Sequence, residues 1–112
     1  DLRNLAIESD EKNESGLIGK FKMFVASLKV EKLVLQKKYL EAADEYIVLL
    51  KEKELDKIDR QNAWYQIAFL YANSKKVANE KIILCLTNAI NAYPESDGVG
   101  HLKEIIKSIE KK

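Results

Sequence analysis

Asn62-Ala63-Trp64-Tyr65-Gln66-Ile67-Ala68-Phe69-Leu70-Tyr71, followed after a polar break by Ile82-Ile83-Leu84-Cys85-Leu86-Thr87-Asn88-Ala89-Ile90 and then by Pro94, decides the fold of this chain. Trp64, Ile67, Ala68 and Tyr71 return at helical intervals, as do Ile82, Leu86 and Ala89. Each segment therefore lays an apolar stripe along one side of a helix. Asn73-Ser74-Lys75-Lys76 separates the two helices, and Tyr93-Pro94-Glu95-Ser96-Asp97-Gly98 gathers proline, capping residues and glycine in one place. The pattern predicts a helical hairpin over 59–93. Ala68 and Ala89 are the expected points of close approach, where a larger side chain would cost of order 1–3 kcal/mol.

Working outward, the same reading gives five helices. Before the hairpin, a helix over 17–35 carries Phe21, Phe24, Val25, Leu28, Leu33 and Leu35 as its apolar stripe. Gln36-Lys37-Lys38 is short enough to be a tight turn between antiparallel neighbours. The next helix holds Leu40, Ala43, Tyr46, Ile47 and Leu50, with Lys51-Glu52-Lys53-Glu54 as its solvated last turn; the two make a first hairpin over 17–54. Asp56 or Asp59 is placed to cap the helix that follows. After Gly98 a last helix over 99–111 presents Leu102, Ile105, Ile106 and Ile109 on one side and lysine and glutamate on the other, as a terminal capping helix does. Residues 1–15 are polar and acidic, and we expect an arm or a marginal helix there, preceding a helical domain over 16–112.

Composition narrows the function classes. The chain has 112 residues, 46% hydrophobic and 33% charged, which suits one globular domain and not a disordered one. Nineteen basic against eighteen acidic residues leave +1, so no general field gathers nucleic acid or an anionic membrane. No apolar run approaches the roughly 20 residues of a membrane span. The chain begins at Asp1 and not at methionine, from which we expect a piece of a longer protein. No feature fixes a compartment.

Residues able to carry chemistry are few. Cys85 is the single cysteine and falls between two leucines on a helix, where a small buried apolar residue is expected. His101 is the single histidine, so a two-histidine metal site is excluded, and Asp97, Gly98 and Gly100 around it place it exposed near a helix start. Glu41 and Glu45 share a helix face but stand among lysines as solvated carboxylates. No glycine-rich phosphate loop or nucleophile elbow occurs. We expect no enzyme active site, no cofactor and no metal.

From Asn62 to Pro94 the sequence resembles a tetratricopeptide repeat (TPR), a family of paired antiparallel helices. Trp64, Ile67, Ala68 and Tyr71 stand where the family has Trp, Leu, Gly and Tyr on its first helix. Ile82, Leu86, Ala89 and Pro94 keep the spacing of its second, with the two halves set two residues further apart than in the family. Lys38-Tyr39-Leu40-Glu41-Ala42, with Tyr46 four residues on, is similar to the second helix of an earlier copy, whose first helix matches less well at Lys29. The resemblance implies an all-α fold of antiparallel hairpins stacked as a short right-handed array with a C-terminal capping helix. It also implies a concave groove, with Asn62, Tyr65, Phe69, Ala72 and Asn73 at its first-helix positions. Two aromatic rings flanked by asparagines suit a peptide partner, whereas the lysines used by relatives that hold acidic chaperone tails are replaced by Tyr65 and Phe69. The competing reading packs those rings on the preceding hairpin or the N-terminal arm.

The function expected from these residues is a non-enzymatic protein–protein interaction or scaffold domain whose partner is a protein or peptide and not nucleic acid. The alternative is a structural appendage of a missing enzyme domain, packing on it or forming a homodimer.

Overall fold

A computed structural model describes the backbone of residues 2–111 and the side chains of residues 16–111. The expected arm over residues 1–15 lies outside the described side chains. The helices are α1 (Leu2–Leu35), α2 (Tyr39–Leu49), α3 (Lys57–Ser74), α4 (Asn79–Ala92) and α5 (Val99–Glu110), and no strand occurs among the described residues. Each helix packs on its neighbour in sequence, and α1 also touches α3.

The core runs through the middle of this series. Ala42 and Ala43 of α2, Ala63 and Ile67 of α3 and Ala89 of α4 are fully buried, and Leu86 and Leu70 nearly so. Small residues at facing positions let helix axes approach, and the branched side chains between them fill the remaining space. Ala68 is buried in the same layer, and Trp64 packs half-buried against its edge. α5 inserts Leu102 and lays Ile105, Ile106 and Ile109 against the cluster.

The stripe expected on α1 is corrected. Phe21, Phe24, Leu28 and Leu35 point away from the domain, exposed to solvent. The side packed on the domain carries Gly19, Met23, Ala26, Val30 and Leu33. A β-carbon at Gly19 would collide with the Glu54 carbonyl, so the small residue is what allows α1 to lie against the α2–α3 connection. Two lysines then fix the helix about its axis. Lys20 Nζ donates to Asp59 Oδ1 at 2.6 Å, and Lys22 Nζ bridges Glu52 and Glu54 at 2.9 and 3.1 Å.

Those carboxylates correct a second expectation. Residues 51–54 are not the last turn of α2, which ends at Leu49; Glu52 and Glu54 belong to the connection and are half-buried. Its last carbonyls accept from the chain just beyond: the Leu50 N–H donates to Tyr46 O, the Lys51 N–H to Val48 O and the Glu52 N–H to Leu49 O. The Arg60 guanidinium donates to Leu50 O at 2.9 Å and to Glu52 O at 2.8 Å.

The first turns of α3 thus act as a polar hub. Asp56 caps the helix, its carboxylate accepting from the Asp59 N–H at 2.8 Å, and that bond holds its pKa below the ordinary value. Asp59 reaches α1 and Arg60 reaches the connection that follows α2. The Gln61 amide donates to Ala89 O and Tyr93 O while accepting from Ser96 Oγ at 2.7 Å. Three consecutive helical positions, 59 to 61, reach three different neighbours because a helix sends adjacent side chains in different directions.

Candidate functional site

On α3 the face made by Asn62, Tyr65, Phe69 and Ala72 lies away from the buried stripe of Ala63, Ile67, Leu70 and Tyr71. α3 and α5 both pack on α4 but do not meet each other, which leaves a cleft between them. Its floor is Ile82 and Leu86 of α4. Its walls are Tyr65, Phe69 and Ala72 on one side and Ile105 and Ile109 on the other.

The cleft has a volume of about 110 Å³ and almost wholly apolar walls. A cavity that takes benzene is only somewhat larger, at about 150 Å³, so one branched aliphatic side chain is the natural content. Phe69 is 56% exposed, an unusual state for a ring beside open apolar space. A second depression of about 150 Å³ shares Tyr65 as its wall and is lined by Gln61, Asn62, Gly98, His101 and Leu102. The two form a line along the α3–α5 boundary, almost wholly apolar at one end and carrying the polar groups of Gln61, Asn62 and His101 at the other.

Of the residues expected at the groove, Tyr65 and Phe69 stand together at the apolar end, and Asn62 lies at the polar end. Asn73 does not line the cleft. Its side-chain amide donates to Phe69 O at 3.0 Å and so serves its own helix. Tyr65 lines the cleft and also packs against the core, whereas Phe69 stays largely exposed. The far wall, Ile105 and Ile109, was hidden in the sequence because the same residues read as the core face of a capping helix. Leu102, Ile105, Ile106 and Ile109 keep the i, i+3, i+4, i+7 spacing of any helix packed on a core, so their pattern carries no separate mark of a cleft wall.

Other chemistry-bearing groups stay apart. Cys85 is buried, and burial pushes its thiol pKa up, away from the reactive thiolate. His101 is exposed at the start of α5. No group of His, Cys, Asp and Glu side chains placed to hold a metal ion occurs among the described residues. No described helix is long and apolar enough to cross a membrane. A larger concavity than the cleft, about 280 Å³, is an open basin between the α1–α2 and α3–α4 turns, lined by Lys37, Lys38 and Lys76 with Glu41.

The fold and cleft define a five-helix, all-α domain. The chain belongs to the TP_0391_C family, described as an uncharacterised protein C-terminal domain, which matches residues 17–112. It is 34% identical over 108 residues to an uncharacterised protein of Treponema pallidum (strain Nichols), a match covering 96% of this chain and 36% of that protein. The chain thus spans about a third of the length of this relative. No solved structure matches it.

Proposed function

We propose that this domain is a non-enzymatic protein–protein interaction module that takes an apolar side chain of a partner peptide or helix into the α3–α5 cleft. The observation that carries the reading is the exposed Phe69 ring beside an open apolar cleft floored by Ile82 and Leu86. Binding sites for peptide segments commonly combine such an apolar anchor pocket with a polar rim. Here Asn62 and His101 supply polar groups at one end. The finer reading of the scaffold is a short TPR-like stack in which α1–α2 and α3–α4 are the hairpins and α5 the cap. It is supported by the Trp64, Ile67, Ala68 and Tyr71 spacing and by the sequential packing of the helices. The alternative reading, an appendage that packs on another body, draws on a different surface, the outer face of α1.

A peptide-display selection against the 112-residue chain tests the cleft. The expected result is a set of binders sharing one large apolar anchor, each weakened at least about 10-fold by Ala72→Glu. Ala72 is exposed, so helical circular dichroism should not change. Binders that ignore Ala72→Glu and Phe69→Ala would place recognition elsewhere.

A further inference from the structure

From the two faces of α1 we infer that this domain pairs with a second copy of itself, antiparallel, along Leu17, Phe21, Phe24, Leu28 and Leu35. Their spacing of four, three, four and seven residues is that of the seam positions of a coiled coil. The domain-facing residues Gly19, Met23, Ala26 and Val30 repeat the first three of these intervals two positions later, and Leu33 lies two positions before Leu35. At about 100° per residue, two positions are about 200°, so the two stripes lie on opposite sides of the helix. A helix apolar on both sides is an interior helix, and on α1 the larger residues are the ones facing solvent.

The exposed fractions are 68% for Leu17, 66% for Phe21, 59% for Phe24, 50% for Leu28 and 81% for Leu35. Residues of this size present about 200 Å² when fully exposed, so the stripe offers roughly 600–700 Å² per copy. Two copies together would bury roughly 1,300 Å², within the 1,200–2,000 Å² class of specific interfaces. The stripe is also larger than the apolar patch of a typical monomer, about 300–600 Å².

Glu31 sets the direction. It holds the seam position between Leu28 and Leu35. A parallel, in-register pair puts Glu31 opposite Glu31 in the apolar seam, a costly arrangement. With Phe24 across from Leu28 of the second copy, Leu17 lies across from Leu35 and Glu31 faces a ring instead of a carboxylate. The surface stands on α1, at the other end of the helix order from α5, and does not depend on the cleft.

Sedimentation equilibrium of the 112-residue chain between about 1 and 100 μM, the weak end of the range for interfaces of this size, tests the pairing. The expected mass is twice 12.8 kDa, with Phe24→Glu or Leu28→Glu raising the dissociation constant at least about 30-fold. Both residues are exposed, so helical circular dichroism and melting of either variant should match the parent at monomeric concentration. For direction, Leu17→Cys mixed with Leu35→Cys should form a disulfide-linked heterodimer, and Leu17→Cys alone should not; Cys85 is buried and leaves the new thiols as the reactive ones. A chain monomeric at 100 μM, a dimer indifferent to both glutamates, or self-linking of Leu17→Cys would each overturn the inference. Peptide capture by the cleft would be untouched by any of these outcomes.

Discussion

Lys37 stands at φ 60°, in the left-handed region, just past the end of α1. Its N–H donates to Val34 O and the Lys38 N–H to Leu33 O, both at 2.9 Å, which is the paired closure that usually recruits glycine. A side chain in that conformation costs about 1–2 kcal/mol, partly offset by the greater freedom glycine loses on folding. Lys37→Gly is therefore expected to stabilise the chain by about 0.5–1 kcal/mol, read as a higher urea midpoint at unchanged slope. At Asp56 the matching argument concerns pH. Its folded pKa is held below the ordinary 3.8, chiefly by the Asp59 N–H. The charge's contribution is then complete above the unfolded value and is lost as pH falls through the folded one. Asparagine caps a helix nearly as well but does not titrate, so urea unfolding from about pH 5 to about pH 2 should show a shallower acid loss for Asp56→Asn. An acid limb of unchanged slope would assign the loss to other carboxylates. Residues such as Ala68 and Ala89 were legible in the sequence because their spacing declares a packed face. Gly19 was not, since its reason is a carbonyl 35 positions away, at Glu54.

At the scale of the helix, α1 shows where sequence periodicity stops. Two opposed stripes share one spacing, so the pattern announces a helix without saying which side the domain takes. Side-chain size pointed to the Phe21 and Phe24 stripe, but approach distance decides, and Gly19 and Ala26 give the closer contact. α2 teaches the reverse. Its charged run Lys51-Glu52-Lys53-Glu54 read as a solvated helix end, whereas two of those residues are ion-pair partners of Lys22 and the helix ends earlier. What pins the connection beyond its end is Arg60, from the next helix. The planar guanidinium covers two carbonyls at once, a geometry that a lysine ammonium on a different stem does not reproduce. Arg60→Lys should cost about 1–2 kcal/mol by urea denaturation, close to one uncovered carbonyl, and Arg60→Met somewhat more. A loss below about 0.3 kcal/mol in both would mean that water satisfies these carbonyls as well as Arg60 does.

The whole molecule measures 60 × 32 × 18 Å with a radius of gyration of 16.3 Å, against about 13 Å for a compact domain of this length. Most of that length is α1, whose 34 residues span about 50 Å; the helices are joined in series, each leaning on the next, and in a series the ends depend on fewer neighbours than the middle. α5 makes this concrete. Its backbone comes close to α4 alone, and Leu102 is its one buried side chain. Twelve residues are too few for a stable helix in water without packing, so α5 exists by virtue of that contact. Leu102→Ala removes about 2–5 kcal/mol of it. Hydrogen exchange followed by mass spectrometry should then show peptides of α5 losing protection at least about 30-fold, while peptides around Ile67 and Leu86 lose much less. The cleft would open with α5, because Ile105 and Ile109 form its far wall, and any peptide held by Phe69 should weaken in step. Equal loss of protection across all five helices would instead make the chain one cooperative unit, with α5 as integral to the fold as α3.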